Sequence, residues 1–197
     1  MWDERYSSDD YVYGVLPNDF VKERAHGLVP GDALCLADGE GRNGVHLAEL
    51  GHRVTSVDLS TVGLDKANRL AAQRGVELNT VLADLGDYEL GESQWDLIVS
   101  VFAHIPPTAR RALHRRIETA LRPGGRFIVE AYTVNQLGNG TGGPPTAELM
   151  YSLDELLADL HGLTIEHGVE VERSVVEGAG HTGIGAVVQL VATRPAN

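Results

Sequence analysis

The segment Asp38-Gly39-Glu40-Gly41-Arg42-Asn43-Gly44 carries the strongest chemical signal in this 197-residue chain. Gly39 and Gly41 let a ligand approach the backbone closely, and the helix that follows favours a negative group at its start. Asp58 stands nineteen residues past Gly39, where a carboxylate can accept hydrogen bonds from two ribose hydroxyls. Asp84, in Ala83-Asp84-Leu85, is placed to accept from an adenine exocyclic amine. The glycine turn alone is weak. With both aspartates in register it points to an adenosine-containing ligand. Gly39, Gly41 and Gly44 also match the dinucleotide fingerprint G-x-G-x-x-G, with an acid about 20 residues on, so a nicotinamide dinucleotide stays open at this point.

These residues need strands to hold them. Residues 33–37 (ALCLA) form a short apolar run between aspartate–glycine boundaries and read as a buried strand. Residues 53–58, 77–84, 95–102 and 126–132 read as four more, with helical spacing between them. Five apolar strands separated by helices predict a parallel sheet covered on both faces, the doubly wound α/β class. A basic helix carrying Ala109, Leu113 and Ile117 opens at Pro106-Pro107 and closes at Pro123-Gly124-Gly125. Ser152 with Glu155 forms a capping box for a later helix. Residues 163–176 and 184–193 then read as two long strands whose short join, 177–183, permits only an antiparallel hairpin. Asn18 caps a helix through Phe20, Val21, Arg24 and Ala25, and the stretch before it is aromatic-rich and irregular.

Composition narrows the partners. Acidic residues outnumber basic ones 28 to 16, giving a formal charge of −12, which argues against nucleic acid or anionic lipid as the main partner. The basic run Arg110-Arg111 and Arg115-Arg116 has no interleaved aromatic and reads as a solvated helix face. Cys35 is the lone cysteine, which fits a reducing compartment and reads as a buried small hydrophobe. No uncharged apolar run approaches the ~18 residues that span a bilayer, and the N-terminus lacks a signal-peptide pattern. The expectation is one cytoplasmic domain over 1–197, a monomer or weak homodimer, with a cover segment at 1–30 and a flexible, glycine-rich active-site loop at 133–150. No His, Cys and acid cluster has metal-ligand spacing, so no metal is expected.

The sequence resembles the class I S-adenosylmethionine-dependent methyltransferases. The resemblance rests on the turn at 38–44, Asp58, Ala83-Asp84-Leu85, the LRPGG turn at 121–125 and the order of seven strands. It implies a doubly wound seven-stranded sheet, mostly parallel with an antiparallel last strand. Gly-Arg-Asn after the turn is similar to the tellurite-resistance (TehB-like) and thiopurine branch. Ala37 and Asn43 depart from the usual glycine pattern. By this resemblance S-adenosylmethionine is the cofactor and a small molecule the acceptor. Gly39 and Gly41 back the methionine moiety and Asp58 holds the ribose. Asp84 and Leu85 meet the adenine, and Asp38, Asn43, Leu59, Ala83, Val101 and Tyr13 complete the cofactor-binding set. Arg42 either pairs with the methionine carboxylate or faces solvent, the second being slightly favoured.

Methyl transfer from a sulfonium is an in-line displacement, so alignment and exclusion of water matter most. A thiolate, selenide or tellurium species needs little base catalysis; oxygen or nitrogen needs a positioned acceptor, most plausibly histidine. His104, after the fourth strand, is a catalytic candidate or else a packing histidine. His181, in the turn between the last two strands, overhangs the pocket if the sixth strand is parallel. His161 and His167 are expected in solvent. Tyr11 and Tyr13 either form a lid or staple the N-terminal segment, with stapling narrowly favoured. Arg5 reads as a surface pair, and Glu130 and Tyr132 as shapers of the substrate side. Two rivals remain, a nicotinamide-dependent oxidoreductase and a non-catalytic S-adenosylmethionine-binding protein.

Overall fold

The computed structural model describes residues 1–196. Its seven strands form one sheet in the order β3-β2-β1-β4-β5-β7-β6. β1 (Asp32–Leu36), β2 (Arg53–Asp58), β3 (Asn79–Leu82), β4 (Trp95–Val101) and β5 (Leu121–Tyr132) run parallel. β7 (His181–Thr193) is antiparallel to both neighbours, so β6 (Thr164–Glu177), at the edge, points the same way as β5. Strand order reverses between β1 and β4, the switch point at which this architecture opens a crevice.

Alternation along β1 shows why the sheet is covered twice. Leu34 and Leu36 pack with Leu113, Ile117 and Phe127 on one face, while Ala33 and Cys35 pack with Phe20, Val21 and Leu47 on the other. The helices on these faces are α1 (Trp2–Arg5), α2 (Asp19–Ala25), α3 (Arg42–Glu49), α4 (Thr61–Arg74), α5 (Pro107–Ala120) and α6 (Leu153–Asp159). Side chains of Asn18, Ser60 and Ser152 accept the N–H groups of Val21, Gly63 and Glu155, capping α2, α4 and α6.

Five expectations need correction. Helix α1 was not foreseen, because it is four residues long and buries none of them. The join between β6 and β7 is shorter than 177–183: β7 begins at His181, directly opposite Glu177. Arg110 is fully buried, not solvated; it donates to the Met150 carbonyl, pairs with Glu155 at 2.9 Å and lies 4.5 Å over the Tyr151 ring. His167 is half-buried beside Arg24 and Phe20. The 133–150 segment is anchored by buried Gln136, whose amide donates to Thr141 and Gly142 and whose carbonyl oxygen accepts the Ala186 N–H. Among the described residues no helix is long and apolar enough to cross a membrane.

Candidate active site

A cavity of about 410 Å³ opens beyond the carboxyl ends of β1, β2 and β4, in the size range of small-molecule sites (~300–1,000 Å³). A wider, shallower groove of about 920 Å³ beside Asp32, Arg53 and Trp95 lies at the amino ends, where this architecture places no ligand. The backbone marks the first location. Ala37 (φ 51°) and Phe102 (φ 53°), just past β1 and β4, are left-handed without being glycine, and both line the cavity. Such backbone costs about 1–3 kcal/mol and gathers at functional sites.

On one side the turn after β1 meets the end of β2. Asp58 Oδ2 accepts the Gly39 N–H at 2.8 Å and its Oδ1 accepts the Ser60 N–H at 2.9 Å. Burial raises this carboxyl while those N–H donors pull it back. Beneath the turn, Asp38 accepts the Ser56 hydroxyl at 2.7 Å and the Gly44 N–H at 3.2 Å. Burial pushes Asp38 up to about 6. Gly41 is left-handed (φ 85°), and a Cβ there would lie 2.4 Å from that of Ala67, so only glycine lets the turn press on α4.

Of the residues singled out in the sequence, Asp38, Arg42, Asn43, Asp58, Leu59, Asp84, Leu85, Val101, Tyr13, His104 and His181 all line this cavity. Gly39, Gly41 and Ala83 stand behind its wall; Ala83 donates its N–H to the Asp58 carbonyl. Asp84 is exposed and accepts the Gly86 N–H. Arg42 corrects the solvent reading. It is buried, donating to Glu177 at 2.5 Å and to the Leu16 carbonyl, because residues 16–18 and the end of β6 close over the start of α3.

The two histidines differ. His104 Nδ1–H donates to the Leu149 carbonyl at 2.8 Å, and Nε2 accepts the Tyr132 N–H at 3.3 Å. Both nitrogens are thus engaged by backbone, and burial holds the ring neutral, with its pKa down to about 4. The His181 ring Nδ1 is buried with no hydrogen-bond partner among the described residues. Its ring sits 4.5 Å from Tyr13, 4.8 Å from Phe102 and 5.3 Å from Tyr132, and burial lowers its pKa to about 4.

Glu130 and Tyr132 do not shape the wall as expected. Glu130 is held by Arg173, Gln189 and Asn18 away from the cavity, and Tyr132 stacks behind Phe102 and His104. Arg5 is on the wall but pairs with no acid among the described residues; it donates to the Tyr13 hydroxyl at 2.8 Å. Sequence reasoning missed Trp2, Tyr6 and Phe102 as lining residues. Phe102 was findable, since it directly follows a strand at the binding face.

Residues 33–125 match the family described as a methyltransferase domain. No curated protein sequence matches the chain. Among solved structures, one concerned with conversion of a disulfide bond into a thioacetal group during echinomycin biosynthesis superposes with a TM-score of 0.78. Its identity is 22%, over 99% of this chain and 88% of that one. TehB from Haemophilus influenzae gives 0.74 at 18% identity, over 98% of this chain, which spans 65% of that longer protein. A geranyl diphosphate methyltransferase in complex with GPP and sinefungin gives 0.64 at 19%, over 89% of this chain and 76% of that one. The fold is that of the class I methyltransferases, with β7 reversed between β5 and β6. Residues 33–125 thus match a methyltransferase domain, and the whole chain has the fold of S-adenosylmethionine-dependent methyltransferases and resembles TehB.

Proposed function

We propose that the protein methylates a small molecule through a soft nucleophile, a thiol or a reduced selenium or tellurium species, with one methyltransferase domain spanning 1–197. The cavity suits the cofactor: Asp58 and Asp84 keep acceptor capacity at the ends of β2 and β3, and the walls between them are apolar. In this reading Asp58 holds the ribose, Asp84 and Leu85 the adenine, and Asp38 the turn beneath the methionine moiety, with Leu59 and Val101 supplying apolar wall. The bound cofactor supplies an electrophilic methyl group on a sulfonium. Tyr13 and Phe102 offer ring faces to that positive charge.

The carrying observation is His181, whose buried ring Nδ1 has no partner among the described residues although it lies on the cavity wall. Held neutral down to about pH 4, it can receive a proton transiently and pass it to solvent. A base that weak does little for an amine or an alcohol. It suffices to orient a thiol, whose ordinary pKa is about 8.5 and whose anion is the nucleophile. His104, with both nitrogens engaged, acts here as a positioning group that ties Leu149 to β5. The disulfide-to-thioacetal neighbour and TehB support a soft acceptor by likeness alone. The single buried Cys35 fits a cytoplasmic setting, and a monomer or weak homodimer suffices because this chain alone lines the cavity.

The test is to incubate the protein with S-adenosylmethionine and, separately, small thiols, tellurite or selenite with a thiol reductant, amines and phenols, and to follow S-adenosylhomocysteine. Turnover with a thiol or metalloid, lowered up to about tenfold in His181→Ala by loss of the orienting acceptor, is the expected result. Turnover confined to amines or phenols would overturn the soft-acceptor reading.

A further inference from the structure

Residues 2–14 cross the cavity mouth, and Trp2, Arg5, Tyr6 and Tyr13 all line it. Tyr6 is buried and Tyr11 packs against Val45, Leu70 and Ala71, and the rest of the attachment is polar. Asp3 accepts the Ser60 hydroxyl at 2.5 Å and the Val62 N–H, and Ser60 in turn donates its N–H to Asp58. The ammonium of fully buried Lys66, on α4, donates to the carbonyls of Tyr6, Ser8 and Asp10 at 3.4, 3.0 and 2.7 Å. Its ionic partner is Glu40, the residue between Gly39 and Gly41. Glu40 Oε2 accepts the N–H of Val12 at 2.8 Å and of Tyr13 at 3.4 Å. One buried ion pair therefore grips the segment by three carbonyls and two amides.

The opposite side is shaped to match. Gly180 N–H donates to the Val12 carbonyl, and a Cβ on Gly180 would lie 2.5 Å from Tyr13 Cε1. A Cβ on Gly178 would lie 2.3 Å from the Val12 carbonyl oxygen. The β6–β7 turn is glycine on both sides of Ala179 because residues 12–14 lie against it.

We infer that residues 2–14 are a strap that swings aside to pass the cofactor, and that Glu40 and Lys66 are positioning residues that set its closed position. When the strap lifts, water replaces the carbonyls and amides while the two charges keep each other. The bond from Asp3 through Ser60 to Asp58 ties the strap to the acid assigned to the ribose. The strap therefore closes on the residue that the ligand itself engages.

The inference rests on the S-adenosylmethionine reading, so wild type is first titrated with S-adenosylhomocysteine by its Trp fluorescence, with Trp2→Phe identifying the strap signal. Stopped-flow association and dissociation are then compared in Glu40→Gln and Gly180→Ala. Glu40→Gln removes the charge that holds the strap; Gly180→Ala wedges Tyr13 outward without touching the ion pair and serves if Glu40→Gln does not fold. Faster entry and release together, by about tenfold, are expected, the change that losing one charge-assisted hydrogen bond makes in an opening equilibrium. A partly unfolded variant would lose amplitude but keep its rates. Unchanged rates in a folded variant that binds would overturn the strap; no binding by wild type would overturn the cofactor reading instead.

Discussion

The Asp58 carboxylate accepts the Gly39 amide at 2.8 Å, joining the end of β2 to the turn after β1. With Ser60 on the other oxygen, each Asp58 oxygen takes one backbone donor and keeps a lone pair for a further one. The same contact fixes where the glycine turn stands relative to α4. A ligand held by Asp58 therefore meets a turn that is already in place, which is preorganisation in the sense that lowers the cost of binding.

Acid should weaken the protein in a defined window. His104 and His181 have pKa values lowered from 6.5 to about 4 by burial, so the unfolded chain binds their protons first. Their contribution is complete above pH 6.5 and is lost as pH falls toward 4. Asp38 works in the opposite sense. Its carboxyl is raised from 3.8 to about 6, so its contribution is complete below pH 3.8 and is lost as pH rises through 6. The lowered histidines, with His46, His52 and His167 shifted in the same sense, outnumber the raised Asp38 and Asp58 and leave a net loss on acidification, on the order of 1 kcal/mol per pH unit below pH 6. A melting series from pH 7.5 to 4.5 should fall steadily, and less steeply in His181→Gln. A flat series would contradict the buried, neutral histidines.

Arg42 and Glu177 form a buried ion pair that also receives Asn18 and Arg173 on the same carboxylate. Removing one partner leaves a charge without its match in a low-dielectric site. Arg42→Met should cost about 3–5 kcal/mol in urea unfolding, since breaking such a pair strands the other charge. Affinity for S-adenosylhomocysteine, measured where the variant is folded, should change far less. A large loss of affinity with unchanged stability would return Arg42 to the cofactor.

Tyr132 places its hydroxyl in a buried position with no hydrogen-bond partner among the described residues. Deleting an unsatisfied hydroxyl removes a desolvation cost, so Tyr132→Phe should be neutral or up to about 1 kcal/mol more stable. Loss of more than that, read by thermal unfolding, would mean the hydroxyl has a partner such as a buried water.

The sequence displayed the sheet well because each strand is buried by its own residues. Leu34 and Leu36 face one layer and Ala33 and Cys35 the other, a pattern visible without partners. The caps at Asn18 and Ser152 were equally local. Failures came where a residue's state depends on distant chain. Arg42 was read toward solvent because Glu177 lies 135 positions away. Arg110 was placed on a solvated face because Glu155 and Asp159 come from another helix. His104 offered no sign that Leu149 and Tyr132 backbone would occupy both its nitrogens. Glu40, between two glycines, and Lys66, on α4, carry no local sign of the ion pair that joins them, because its partners on the strap lie far away in the sequence. The strand-end positions Asp58, Asp84 and His104 were legible because topology alone carries them to one face.

The most direct test is calorimetric titration of S-adenosylhomocysteine, and in parallel NADH, into wild type and Asp58→Ala. One-to-one binding of S-adenosylhomocysteine to wild type, no heat from NADH, and affinity lowered at least about 100-fold in a folded Asp58→Ala are the expected results, the loss of two charge-assisted hydrogen bonds. Equal affinity in the variant, or binding of NADH alone, would contradict the cofactor site described for this protein.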